Sequence, residues 1–174
     1  MTVWIVAAGK SRRLADTFVQ DEAALFSFKE GGDFRGLARE QFAGRFQGKP
    51  YLDPDRNGKR IAPRAADKYA SELWKIMHEV KKGDIFFSRF PDGAYLVGRV
   101  TGNYEYREER HRDERHVIPV YWVRMGPNAL PAQLQYPLRL TQWTIREPAL
   151  EARDDALVYA ERVLPAVAVK EKSK

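Results

Sequence analysis

The chain has 174 residues, 44% hydrophobic and 31% charged, enough for one hydrophobic core, too few for two full-sized domains and too apolar for a disordered tail. Cysteine is absent, which excludes thiol nucleophiles, Cys-ligated zinc and a disulfide framework and makes a reducing, cytoplasmic setting the expectation. Lys and Arg number 30 against 24 Asp and Glu, a net charge of +6 that is compatible with a polyanionic partner.

Val3-Trp4-Ile5-Val6 is a β-branched and aromatic run that reads as a strand, with Gly9-Lys10-Ser11 as the turn after it. Ser11 is positioned to cap a short helix through Leu14, Phe18 and Val19. Ala24 to Phe28 reads as a second strand, closed by Gly31-Gly32, and residues 36–47 show a helical pattern of Leu37, Gln41, Phe42 and Phe46. Gly48 to Pro63 is rich in Gly, Pro, Asp and Asn, a loop long enough for a compact domain to be a functional suspect. Pro63 suits a first helical turn, and Ala66, Tyr69, Ala70, Leu73, Trp74 and Met77 make one apolar face that ends at Lys81-Lys82-Gly83-Asp84. Strands follow: Ile85 to Phe90, a Pro91-Asp92-Gly93 turn, Ala94 to about Tyr106, and His116 to Arg124. After Gly126-Pro127-Asn128 come a short helix or turn through Leu130 and Leu134, a last strand over Leu138 to Ile145, and a closing helix from Ala149 to Val163. This order predicts an α+β fold, a small mixed or antiparallel curled β-sheet or barrel with helices packed outside. Residues 148–174 are set apart as a C-terminal helix with a short charged tail, Lys170 to Lys174, expected to fray.

The excess charge is local. Residues 1–20 carry +2 through Lys10, Arg12 and Arg13 against Asp16, and residues 51–70 carry +2 through Arg56, Lys59, Arg60, Arg64 and Lys68 against Asp53, Asp55 and Asp67. The densest stretch, EYREERHRDERH over 105–116, sits in a segment that balances to zero and reads as a solvated hairpin end. No apolar run approaches the roughly 20 residues of a membrane span, and the N-terminus lacks the basic-then-apolar order of a signal peptide.

Three chemical motifs fail on inspection. Gly9-Lys10-Ser11 ends like a phosphate-binding loop, but the glycine that such a loop needs at position 4 is Trp4. Pro54-Asp55 with Glu79-Val80-Lys81 has the residue types of a metal-dependent nuclease, yet Glu79 and Lys81 fall at a helix end instead of on a strand. His111 and His116 with Asp113 and Glu114 match no usual zinc spacing. No catalytic residue, metal ligand or cofactor site is assigned.

What remains is the order of VWIVAAGK, ALFSFKEGGDFRGL, SELWKIMHEVKKGDIFFSR, YLVGRVTGNYEY and HVIPVYWVR. This order resembles the PUA-like (EVE/YTH-like) reader domains, especially those at the N-termini of Mrr-type and McrBC-type modification-dependent restriction proteins. It spans roughly residues 1–146, the most specific stretch being Gly98 to Tyr106. Ala8 stands where many relatives carry Arg, with Lys10 to Arg13 as a substitute source of charge, and 48–62 reads as an insertion.

The resemblance implies a non-catalytic reader over 1–147 that accepts a flipped, modified DNA base in an aromatic pocket, as the specificity module of a restriction or defence system. The base pocket it implies comprises Ala8, Gly9, Phe26, Ser27, Phe28, Asp33, Trp74, Ser88, Tyr104 and Tyr106. Aromatic walls and hydrogen bonds to the base edge would offset the few kcal/mol of unstacking. Lys10, Arg12, Arg13, Arg56, Lys59, Arg60 and Arg64 become candidate phosphate contacts. The implied partners are nucleic acid, DNA before RNA, and a nuclease or NTPase effector in cis or trans; the alternatives are an RNA-binding module of the same superfamily or a sensor of a small ligand such as a modified nucleoside. Plainer roles compete: Trp74 fits its helix's apolar stripe, Phe26 and Phe28 share a strand face that suits a core, Trp4, Trp122 and Trp143 suit the core outright, and Asp33 suits a turn or helix cap.

Overall fold

The computed structural model describes residues 1–108, 113–139 and 144–165. Among the described residues, seven short strands form one strongly curled sheet: β1 (Val3–Val6), β2 (Ala23–Phe26), β3 (Ile85–Arg89), β4 (Tyr95–Val100), β5 (Glu105–Tyr106), β6 (His116–Met125) and β7 (Ile145–Arg146). Their order is β2-β6-β4-β3-β1-β7, with β5 also on β6. Only β1 and β3 run parallel; the other pairs are antiparallel. Five α-helices of the described residues surround the sheet: α1 (Ala15–Gln20), α2 (Gln41–Phe46), α3 (Pro63–Trp74), α4 (Ala132–Arg139) and α5 (Leu150–Val163). The α+β class with a curled sheet is the one the alternation predicts.

Period-two alternation sorts the strands' side chains onto two faces. Trp4, Val6, Phe86, Leu96, Val120 and Trp122 enter a large core shared with α1, α2 and α3, while Val3, Ile5, Ile85, Phe87, Tyr95 and Val97 lie under α4 and α5. The closing helix thus buries Ala152, Ala156, Tyr159 and Ala160 against the sheet. Glycine is required at position 98, where a Cβ would lie 2.5 Å from both Val120 and Trp122. The space left there holds the Trp122 indole, which stacks on Phe18 at 5.6 Å and donates to the Ala23 carbonyl at 3.2 Å, fastening α1 to the sheet. Trp4 donates to Asp84 at 3.0 Å, so both described tryptophans of the strands are core residues as expected; Trp143 lies outside the described residues.

Several boundaries differ from expectation. Ser11 does not cap a helix: Lys10–Arg12 is a 3-10 turn with Ser11 and Arg12 at φ 53° and 59°, and α1 starts only at Ala15. β2 stops at Phe26, because Phe28 is left-handed at φ 37°. α2 covers half of the expected helix. α3 holds from Pro63, then Lys75–Glu79 widens to π-helical spacing. The expected Ala94–Tyr106 strand breaks at Thr101–Asn103 into β4 and β5. Leu138 belongs to α4 instead of the expected last strand, which is reduced to Ile145–Arg146. The 105–116 hairpin is not uniformly solvated, since Glu114 and His116 are buried. His111 and the tail from Lys170 to Lys174 lie outside the described residues.

Candidate functional site

Four loops meet in a closed ring of polar contacts. Lys10, after β1, pairs with Asp55 and lies 3.9 Å from Asp53 in the 50–60 loop. In that same loop the Leu52 amide donates to Glu30, after β2, at 3.3 Å. Lys29, beside Glu30, pairs with Asp113 at 2.8 Å, and the adjacent Glu114 accepts from Arg13 at 3.4 Å, which returns to the first loop. The 50–60 excursion holds its shape through a Pro50–Arg60 bridge and backbone bonds from Tyr51 to Lys59 and from Ile61 to Lys49. Most of these ion pairs are exposed, a class that contributes little to stability, so the ring is a fastening that opens at small cost.

Among the described residues, three of the four non-glycine residues with positive φ lie in the segments of this ring, Ser11, Arg12 and Phe28, as does Gly9 at φ 71°. Backbone strain of this kind persists where the surrounding structure imposes it and concentrates at functional sites.

Behind the ring runs a continuous aromatic layer. The Phe28 ring touches Phe46, Tyr69 and His116 at centroid distances of 6.1, 6.2 and 5.8 Å. His116 is enclosed further by Phe34 at 6.2 Å, Tyr104 at 6.0 Å and Tyr106 at 5.2 Å. These are direct ring contacts, so the rings pack on one another in this conformation. The Gly32 backbone favours the charged imidazole, and Nδ1 shares a hydrogen bond with the Tyr104 hydroxyl at 2.8 Å. Burial pushes the imidazole down to about 4, only partly opposed by Asp33 and the Gly32 bond, and burial pushes the Tyr104 phenol up. A neutral histidine and a protonated tyrosine are therefore the resting states.

The sequence-predicted residues divide into three groups. Phe28, Asp33, Tyr104 and Tyr106 gather around His116. Asp33 is a turn former and an ion-pair partner: it accepts from the Arg35 amide at 2.9 Å and binds the guanidinium that lies 5.3 Å over Tyr106. The Arg35 contact holds its carboxyl below the usual range. Ala8, Phe26 and Ser88 are buried core positions, while Gly9 and Ser27 are half-buried at strand ends near the ring. Trp74 stands apart, packed on Phe42 and His78 at 5.3 and 4.0 Å with Arg39 above it, beside a groove lined by Arg39, Glu40, Ala43, Asp67, Ala70 and Ser71.

The Ser88 hydroxyl is buried and has no hydrogen-bond partner. It lies on the face of β3 that carries Phe86, and the β1–β3 register places Val6 beside it, one step before the chain turns out into the ring. An orphaned buried hydroxyl costs about 1–3 kcal/mol.

Of the candidate phosphate contacts, Lys10 and Arg13 are engaged in the ring, Arg56 stacks 4.7 Å over Tyr51 and reaches the Tyr69 hydroxyl, and Arg60 donates to the Gly48 carbonyl at 2.7 Å. Lys59 and Arg64 are exposed. No group of acidic and histidine residues able to hold a metal ion occurs among the described residues. No helix among them is long and apolar enough to cross a membrane.

Sequence reasoning missed His116, Phe34, Phe46, Tyr51, Tyr69 and the acidic half of the ring. The aromatic residues of 34–46 had a helical spacing that reads equally as core, and the acids joining the loops are far apart in sequence. Residues 4–147 match a family described as Domain of unknown function (DUF8426). No curated protein and no solved structure matches the chain.

Proposed function

The chain belongs to the DUF8426 family, and from its own residues we propose that it is a non-catalytic reader that admits a flipped, modified DNA base through the ring of four loops. The observation that carries this reading is the ring itself: four segments distant in sequence close on one another through mostly exposed polar contacts, over a layer of aromatic side chains. A base leaving a duplex costs a few kcal/mol and needs aromatic faces and polar edges in exchange. Phe28 and Tyr69 supply faces, and the Ser27 hydroxyl and the backbone of Gly9 supply edges. The Ser88 hydroxyl offers a further polar group for a base that penetrates past Ala8. The exposed Lys59 of the 50–60 loop, Arg64 in the first turn of α3 and, once its pair with Asp55 opens, Lys10 would meet phosphates. Because the Lys10–Asp55 pair is exposed, the negative strand competes for the lysine head and assists opening.

Cleavage would fall to a nuclease or NTPase partner, in cis or trans, with this domain conferring specificity within a restriction or defence system.

The experiment is a fluorescence titration of the full chain with duplexes carrying 2-aminopurine at, or opposite, a methylated position. A base taken out of the stack brightens on binding, and the same label three steps away does not. Binding without brightening at any labelled position would reject flipping, and a preference for a matched RNA probe would move the reading to RNA.

A further inference from the structure

We propose that Glu72 reads the base that enters through the ring: its inner carboxylate oxygen, Oε2, accepts a hydrogen bond from the exocyclic amino group of adenine or cytosine and so selects amino-bearing bases. This role rests on the reader function and specifies which base edge it recognises. Glu72 lies on α3 three residues beyond Tyr69, so it shares a side of the helix with the ring that packs on Phe28 at 6.2 Å and on Phe46 at 5.7 Å. It is 2% exposed. Oε1 accepts from the Thr144 amide at 2.9 Å, and the Thr144 carbonyl accepts from the Ala7 amide at 2.9 Å. This relay ties Glu72 to the end of β1, where the chain turns out into the first loop.

Oε2 is buried and has no hydrogen-bond partner among the described residues. The other buried acids among them are engaged in holding the fold. Asp84 accepts from the Thr2 and Lys81 amides at 2.7 and 3.0 Å and from the Trp4 indole at 3.0 Å, and Glu114 accepts from Arg13 at 3.4 Å. A second buried group without a partner, the Ser88 hydroxyl, is set beside Val6 by the β1–β3 register, on the sheet face that α3 covers. Two such polar atoms, one from α3 and one from β3, thus border the last residues of β1 before Gly9.

A carboxylate oxygen out of water and without a donor is costly; a ligand N–H that reaches it removes the cost, whereas a ligand acceptor adds to it. Burial raises the Glu72 pKa, opposed by the Thr144 amide and hydroxyl and by the charges of Lys68 and Lys75, and an amino donor acts in the same sense as these. Adenine and cytosine present an exocyclic amino group where thymine presents a carbonyl oxygen. N6-methyladenine keeps one N–H and 5-methylcytosine keeps both, so methylation and amino recognition are compatible. Aromatic faces cannot draw this distinction, since every base has a π-face to stack. The carboxylate of Glu72 supplies it.

The test measures the affinity of the full chain for duplexes that carry one of two matched base pairs of probes opposite an abasic site. The first is N6-methyladenine against 6-methoxypurine, in which oxygen replaces the N–H; the second is 5-methylcytosine against 5-methyl-2-pyrimidinone, which lacks only the amino group. In whichever pair binds, the amino-bearing member should bind about tenfold or more tighter than its partner. Glu72→Gln keeps an acceptor for the Thr144 amide and turns an NH2 group toward the base, so the ratio should fall to about threefold or less, or reverse. Glu72→Met, apolar and of similar length, should also lower the ratio, and it keeps the test decisive if the Gln variant does not fold. A wild-type ratio near one in both pairs would overturn the assignment. So would variants that lower affinity equally for both members, which would mark Glu72 as structural. The 2-aminopurine signal separates this role from the reader function: brightening without an amino preference removes the role of Glu72 and leaves the reader, and absence of brightening removes both.

Discussion

His116 should make this protein lose stability in acid well before most histidine-bearing domains do. The folded chain holds the imidazole neutral, down to about 4, against an unperturbed value near 6.5. Above pH 6.5 neither the folded nor the unfolded state binds the proton, and the stability due to the neutral ring is fully present. Between 6.5 and 4 the unfolded chain takes up a proton that the folded chain refuses, so stability falls with falling pH. At about pH 4.5 the linkage amounts to roughly 2.5 kcal/mol, approaching about 3 below the folded pKa. For a chain of this length that is a drop of about 5–10 °C in melting temperature.

The structural origin is specific. Protonation would place a second N–H on the imidazole, whose Nδ1 bonds Tyr104, inside a shell of four aromatic rings. Only Asp33, itself engaged with Arg35, favours the charged form from nearby, together with the Gly32 carbonyl. Urea unfolding at about pH 7.5 and 4.5, for the wild type and for His116→Gln, isolates this contribution from the carboxylates that titrate in the same range. The variant should be less stable at neutral pH, and its loss on acidification should be smaller than the wild type's by roughly 2 kcal/mol. Equal acid losses in the two proteins would refute the argument and mean that water or a charge reaches the ring.

Two further substitutions probe the fold and the site. Gly98→Ala sets a methyl against Val120 and Trp122 at 2.5 Å, and it should destabilise by about 2–3 kcal/mol and loosen α1, seen as lost protection of residues 15–20 in hydrogen exchange. Ser88→Ala removes a buried hydroxyl with no partner. It should leave thermal stability unchanged or raise it by about 1 kcal/mol while weakening binding of a base-flipped duplex several-fold; a loss of stability with unaltered binding would show that the hydroxyl is structural.

Periodicity made the strands and α3 legible, because their alternation and 3.6-residue spacing are local properties. The Ala94-to-Tyr106 run located β4 and β5, and Gly102-Asn103, both turn formers, mark the break that a continuous strand overlooks. The N-terminal turn was misread for a physical reason: Ser11 has the residue type of a helix cap, but left-handed φ values at Ser11 and Arg12 are imposed by tertiary contacts that no propensity encodes. The same limit applies to the site. Tyr104, Tyr106, Phe28 and Asp33 come from the family resemblance, whereas His116 reads as part of a charged surface run. Only the long-range pairing of β2 with β6 shows that it is the centre of the cluster. Trp74 shows the reverse case, an aromatic on an apolar stripe that lies on the far side of Phe42 and Phe46 from the ring.

The central claim, that the ring admits a modified base, is tested most directly by the affinity of the full chain for matched duplexes that differ only in methylation of one cytosine or one adenine, measured at two salt concentrations. The account predicts a methylation preference that persists at the higher salt while total affinity falls steeply with the number of phosphates engaged. Equal affinity for the methylated and unmethylated duplexes at both salts, across both bases, would contradict it.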